Sequence, residues 1–345
     1  MADEKIVIPE ISGPPIHDVA YTWLFMKGDA YLPGIFTSVY SVLRTDPEAD
    51  LVVMVTDDVS ENAKSLLMKV ATHLFYIPYL AFESKPLRTA RQREIYDKWI
   101  TSSYSKWNAL ALPYKKVILI DGDTIHTDNT DALFTLQAPA MPFNNPFNRP
   151  IGVVPSTWKG AKGKDHYMLH GIKVPAQDIV SVLHKGGILP TAAPVVLTPS
   201  LADYEEYIKL IKSMQPFGYP NCNNGPDEQS ICWYYSAHKK LDWSNIHHRY
   251  NYIGWKDGFL MKGDVPYIIH YFSDTKPWDT NFDTYEDIIS WYKMAGEAIE
   301  KTNIKPEDIK LTTQNVNAAK KAKDTFIKKH INVNSVLDIV GRLAK

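Results

Sequence analysis

Lys116-Val117-Ile118-Leu119-Ile120-Asp121-Gly122-Asp123 decides the fold: an unbroken, mostly β-branched apolar run reads as a strand buried on both faces, and it stops abruptly at two acids around a glycine. Burial on both faces implies a parallel sheet covered by helices. Toward the amino end, Leu51-Val52-Val53-Met54-Val55-Thr56 repeats the pattern, and Ala20 to Phe25 supplies another apolar and aromatic strand. Between them, Tyr31 to Arg44 sets Ile35, Val39, Val42 and Leu43 at helical spacing, and Asp57-Asp58-Val59-Ser60-Glu61 is a capping cluster predicted to open a helix through Val70. His73 to Tyr79 is expected to be a strand and Arg93 to Leu112 a helix. Beyond the acids, residues 137–194 are rich in Pro, Gly and Asn and are expected to form long loops with a helix or two over the sheet. Val195-Val196-Leu197 and Thr198-Pro199-Ser200 then return to strand and helix, the latter with Tyr204, Ile208 and Ile211 on one side. Tyr250 to Trp278 is dense in aromatics and contains the apolar run Tyr267-Ile268-Ile269-His270; after Asp283 the chain reads as helices. The expected class is α/β, with a mostly parallel central sheet flanked by helices over residues 1–290 and a helical carboxyl-terminal extension over 291–345.

Composition narrows the function classes. Among 345 residues, 38 Lys and Arg nearly balance 39 Asp and Glu, so no global positive field exists to hold nucleic acid or an anionic membrane. No run approaches the roughly 20 apolar residues of a membrane span, and Met-Ala-Asp-Glu-Lys-Ile-Val-Ile lacks the order of a signal peptide. A cytoplasmic protein without a transmembrane segment is expected. Cys222 and Cys232 are too few for a secreted disulfide framework and are expected to be reduced thiols.

Side chains two apart on an extended segment point the same way, so Asp121 and Asp123 present two carboxylates together where ligands of open α/β sheets bind. Hard cations such as Mg2+ and Mn2+ take one or two such carboxylates plus substrate phosphates. Taken alone, Asp-Gly-Asp is more often simply a turn after a strand. His270 closes an apolar run, and Lys276-Pro277-Trp278 follows: an imidazole can complete a metal set and an ammonium can neutralise a departing phosphate, although each is also common in packing roles.

These segments, in this order from about residue 20 to 280, resemble glycosyltransferase family 8, the retaining group that includes glycogenin and galactinol synthase. Lys27-Gly28-Asp29-Ala30-Tyr31 resembles the loop whose tyrosine stacks on uracil, and Tyr104-Ser105-Lys106 resembles the Ser/Thr-Lys whose lysine reaches the donor. Lys116 to Asp123, followed by Asn129-Thr130-Asp131-Ala132-Leu133-Phe134, is similar to the metal motif in its Asp-Gly-Asp form. Glu228-Gln229 resembles an acid-Gln pair late in the sheet, with Asp227 one residue away as the alternative acid; His270 to Trp278 is similar to the closing His-x-x-Gly-x-x-Lys-Pro-Trp. The sequence departs from the pattern at Ser273, where the family has glycine, at Ile188 and Thr191 before Val195, and in a Lys106-to-Asp121 spacing one residue short.

The resemblance implies a GT-A nucleotide-diphospho-sugar transferase fold and transfer of a hexose from a UDP-sugar to an acceptor hydroxyl with retention; with no securely placed carboxylate for a covalent intermediate in the sequence, front-face attack is expected. It assigns Mn2+ or Mg2+ to Asp121, Asp123 and His270. The donor falls to Tyr31, Lys106, Gly122 and Ser273, the sugar or acceptor to Thr191, and catalytic roles to Lys276, Glu228, Gln229 and Asp227. The acceptor is expected to be a glycan, a polyol or a protein, approaching over residues 137–194. Two alternatives accompany this expectation: self-glucosylation, for which Tyr250 and Tyr252 are candidates, and a nucleotide-sugar-binding protein without turnover. The lysine-rich segment from Lys301 reads first as a solvated helical face and second as an oligomer contact, such as a homodimer.

Overall fold

The computed structural model describes residues 6–87, 89–143, 170–184, 193–214, 216, 225–253, 266–272, 275–280 and 286–323. Among these, the strands are β1 (Glu10–Ile11), β2 (Val19–Phe25), β3 (Asp50–Val55), β4 (His73–Tyr76), β5 (Lys116–Ile120), β6 (Thr124–His126), β7 (Ala140–Met141), β8 (Lys173–Val174), β9 (Val195–Leu197), β10 (Trp243–Asn245), β11 (Tyr252–Ile253) and β12 (Ile268–His270). The helices are α1 (Leu32–Leu43), α2 (Glu61–Leu67), α3 (Ala90–Tyr96), α4 (Ala176–His184), α5 (Leu201–Ser213), α6 (Pro226–Trp233), α7 (Glu286–Thr302) and α8 (Thr313–Lys321).

Nine strands form one sheet in the order β1-β4-β3-β2-β5-β9-β7-β10-β8, and β11-β12-β6 form a second, smaller one. Parallel pairing of β4, β3, β2 and β5, with antiparallel β9 inserted before β7 and β10, leaves six of the nine described strands pointing the same way. The expected α/β class with a mostly parallel sheet is therefore observed. Alternate residues of β3 enter opposite cores: Leu51, Val53 and Val55 face α1, α2, α7 and α8, whereas Val52 and Met54 face α4, α5, α6 and the Tyr104–Leu112 segment. Val117, Ile118, Leu119 and Ile120 of β5 are likewise divided between the two cores and are at most 1% exposed. Burial of each is worth about 2 kcal/mol, so this strand anchors whatever follows it.

Local chemistry explains the helix boundaries. Pro33 starts α1, Ser60 accepts the Ala63 amide at 3.1 Å to cap α2, and Ser200 accepts the Asp203 amide at 3.3 Å to cap α5. The helix expected from Arg93 to Leu112 is instead divided: α3 ends at Tyr96, and residues Ile100–Ala111 wind as 3-10 turns. Ser103 Oγ bonds to Ile100 O at 2.8 Å and Asn108 Nδ2 to Ser105 O at 2.8 Å, so short polar side chains compete for carbonyls that an α-helix would use. The irregular 137–194 stretch contributes α4, β7 and β8 among its described residues. At the carboxyl end, α7 runs across residue 290, and Trp291, Tyr292, Ala295 and Ala298 share one core with β2 and α1. Cys232 is buried and unpaired, whereas Cys222 and residues 324–345 lie outside the described residues. Among the described residues no helix is long and apolar enough to cross a membrane.

Candidate active site

Strand β5 delivers Asp121 and Asp123 to the carboxyl edge of the sheet, after which the chain turns back as β6. Thr124 Oγ1 donates to Asp121 O at 2.9 Å, and Ser38 Oγ of α1 meets Thr124 Oγ1 at 2.9 Å, fixing the turn. Antiparallel pairing of β12 with β6 sets His270 opposite Thr124, and the Tyr271 amide donates to Asp123 O at 2.8 Å. This register carries His270 Nε2 to 3.3 Å from Asp123 Oδ1 and 3.8 Å from Asp121 Oδ2. One ligand atom from each of the three residues lies within 4.8 Å of the others. Two carboxylates and an imidazole converging at this spacing fit a hard or borderline divalent cation.

Two lysines flank the acids. Lys276 Nζ lies 2.6 Å from Asp123 Oδ2 and donates to Tyr271 O at 3.1 Å. On the other side, Lys106 Nζ lies 4.0 Å from Asp121 Oδ1 and 3.1 Å from Asp227 Oδ2. Burial alone pushes Asp123 upward, but Lys276 and His270 outweigh it and hold the carboxyl below its ordinary range. For Asp121 burial wins over Lys106 and His270, and its carboxyl is raised. Burial, followed by the charge of Asp227, pushes Glu228 up to about 8. Burial lowers Lys106, yet the charges of Asp227 and Asp121 reverse that and raise it.

Close packing locks the site to α1. A Cβ on Gly34 would lie 2.3 Å from the Trp278 ring and 2.8 Å from Gly122 O, and one on Gly122 would lie 2.2 Å from Ile35 Cδ1. Gly122 therefore serves close approach of the Asp121–Asp123 turn to α1. Tyr31, at the start of α1, meets Trp278 edge-on with centroids 4.9 Å apart, and Lys276 Nζ lies 5.9 Å from its ring centroid. Burial and the nearby Asp123 charge raise the Tyr31 phenol.

The residues expected at the site thus divide clearly. Asp121, Asp123, His270, Lys276, Lys106, Asp227 and Tyr31 come together through the contacts above. Glu228 follows Asp227 on α6, its carboxylate accepting from the Gly225 amide, and Gln229 Nε2 donates to Gly225 O at 3.3 Å. Lys106 contacts Asp227 directly and thereby joins it to the Asp121–Asp123 turn. Ser273, Thr191 and Ile188 lie outside the described residues. Tyr252 is buried on β11, and the half-buried Tyr250 ring stacks with those of His170 and Tyr267. Asn251, absent from the sequence reading, bonds His270 Nδ1 through Oδ1 at 2.8 Å. Its only sequence signal is a place beside Tyr250 and Tyr252 in the aromatic stretch.

No family model matches the chain. The chain is 28% identical over 268 residues to Uncharacterized protein R707 of Acanthamoeba polyphaga mimivirus, covering 75% of this chain and 82% of that one. Among solved structures, the glycosyltransferase GlyE of Streptococcus pneumoniae aligns over 82% of this chain and 63% of its own, at 15% identity and a TM-score of 0.47. The WbbM bifunctional glycosyltransferase aligns over 89% and 52%, at 14% identity and a TM-score of 0.48. The galactosyltransferase LgtC, solved in complex with donor and acceptor sugar analogs, aligns over 81% and 95%, at 12% identity and a TM-score of 0.44. The chain spans less than two thirds of GlyE and about half of WbbM.

Proposed function

We propose that this chain is a metal-dependent glycosyltransferase of the family 8 type, built on a GT-A fold, that moves a hexose from a UDP-sugar to an acceptor hydroxyl with retention. The convergence of Asp121, Asp123 and His270 within ligand distance, with Lys106 and Lys276 on either side, carries the reading. These residues come from distant segments whose order alone suggested the family.

A bound divalent cation supplies charge neutralisation for a pyrophosphate leaving group. The chain's own groups do the remaining work. Asp121, Asp123 and His270 provide the oxygen and nitrogen donors, and Lys276, beside Asp123, offers an ammonium to the departing phosphate. Lys106, oriented by Asp227, lines the opposite wall of the donor site. Glu228 keeps its proton near neutral pH and so donates a hydrogen bond to a sugar hydroxyl, while Gln229 helps orient sugar and acceptor. Tyr31 borders the same space beside Trp278 as the donor-base platform. Gly122, Ser273 and Thr191 complete the proposed donor and sugar contacts.

The test is UDP release from UDP-glucose, UDP-galactose and UDP-N-acetylglucosamine with and without Mn2+, followed by anomeric analysis of the transferred product. Metal-dependent release with retained configuration is expected. Binding without release supports the non-catalytic alternative, and an inverted product overturns the proposed mechanism.

A further inference from the structure

A histidine that serves a cation must turn a lone pair, not an N–H, toward it. In this structure one residue decides which nitrogen of His270 carries the proton. Asn251 Oδ1 lies 2.8 Å from His270 Nδ1, and a carboxamide oxygen only accepts, so Nδ1 holds a hydrogen and Nε2 is left as the nitrogen that can give a lone pair to a cation. Nε2 is the nitrogen that faces Asp123 and Asp121 at 3.3 and 3.8 Å. Were the amide NH2 to face the ring, Nδ1 would accept and Nε2–H would donate to the acids, competing for the oxygens a cation needs.

The backbone supports this arrangement. Asn251 immediately precedes β11, which runs parallel to β12 with Ile253 opposite His270. Its amide donates to His248 O at 2.9 Å, closing the 3-10 turn His248–Tyr250. Phe272 meets the His270 ring at 6.1 Å between centroids and 71° between planes, limiting rotation from another side. His270 is 7% exposed, so water does not readily replace a lost partner.

We infer that Asn251 is a positioning residue that fixes the tautomer and ring orientation of His270, so that Nε2 rather than Nδ1 is the cation ligand. This rests on the cation-site reading above; Asn251 acts only through His270. Partners of this kind typically change metal affinity 10- to 100-fold when removed.

Two readouts test it. Mn2+ titration by electron paramagnetic resonance, without donor, is expected to show about 10- to 100-fold weaker binding for Asn251→Leu. Asn251→Asp still accepts from Nδ1 and is expected to retain most of the affinity. Imidazole 15N NMR of the wild-type chain at mildly alkaline pH is expected to show the Nδ1–H form of His270. Wild-type-like Mn2+ affinity in Asn251→Leu, or a His270 ring without a hydrogen on Nδ1 in the metal-free unaltered chain, overturns the inference. The NMR experiment needs no variant, so it decides the matter even if Asn251→Leu fails to fold. A wild-type chain that binds no Mn2+ removes the cation reading instead, and the tautomer still judges Asn251 on its own.

Discussion

Acids occupy both ends of the central sheet, and their surroundings differ in kind. Asp50 opens β3 at the amino edge and is fully buried; Asp121 and Asp123 follow β5 at the carboxyl edge. Asp50 accepts from the Ile16 amide, His17 Nδ1 and Tyr114 OH, each at 2.8 Å. Burial raises its carboxyl, but these donors together lower it below the ordinary range. That site is closed by short hydrogen bonds from its own chain and ties the segment before β2 and the turn before β5 to the sheet. At the other edge the acids face cationic side chains and each other: Lys276 and His270 hold Asp123 down, whereas burial pushes Asp121 upward. Donors of its own fold satisfy Asp50, whereas the burial of Asp121 is not offset by Lys106 and His270.

The contrast predicts opposite mutational signatures. Asp121→Asn is expected to reduce metal-dependent UDP release about 100- to 1000-fold while leaving stability within about 1 kcal/mol, because burial already raises the Asp121 carboxyl and Lys106 keeps Asp227 as its ion-pair partner. Kinetics and urea unfolding on the same preparation check both halves. Asp50→Asn is expected to do the reverse, costing about 3 kcal/mol of stability by leaving buried donors poorly matched, with turnover per folded molecule close to wild type. If Asp50→Asn abolishes turnover without destabilising, or Asp121→Asn unfolds the chain, the two ends do not differ as described.

How much of this was legible beforehand follows the range of the interactions. β5 and β9 match their expected spans because a continuous apolar run is a local signal. The pairing of acids, His270 and Lys276 was readable from motif order and residue chemistry. Asn251 and Asp50 were not, since β11–β12 register and the closure of Asp50 by His17 and Tyr114 arise only when distant segments meet. The Ile100–Ala111 segment escaped for a different reason: its apolar residues suit a helix, but its serines and Asn108 divert the carbonyls.

Gly34 offers a smaller perturbation confined to the carboxyl edge. The Cβ of Gly34→Ala would meet the Trp278 ring and, at 2.8 Å, the backbone oxygen of Gly122, which cannot swing aside as a side-chain tip can. A cost of about 1–3 kcal/mol is expected, together with weaker Mn2+ binding because the displaced atom lies within the Asp121–Asp123 turn. A stability loss with unchanged Mn2+ affinity would uncouple α1 from the cation site.

The least drastic way to sharpen the comparison is pH. Asp50 has a lowered carboxyl, so its contribution is present above the ordinary carboxylate pKa and lost as acid protonates it in the folded state. Glu228 has the opposite sign. Its folded-state value of about 8 exceeds the ordinary 4.5, so the folded chain holds a proton that the unfolded chain has released, and stability falls as pH rises through that window. Glu228→Gln keeps a neutral group of the same shape and removes the titration, so it should flatten the decline in unfolding free energy between about pH 5 and about pH 8 while leaving acid sensitivity below about pH 4 intact. Urea midpoints across that range read both parts. An unaltered decline in Glu228→Gln would move its origin to Asp121, which is raised in the same direction, and would assign the proton at this edge to the metal turn rather than to α6.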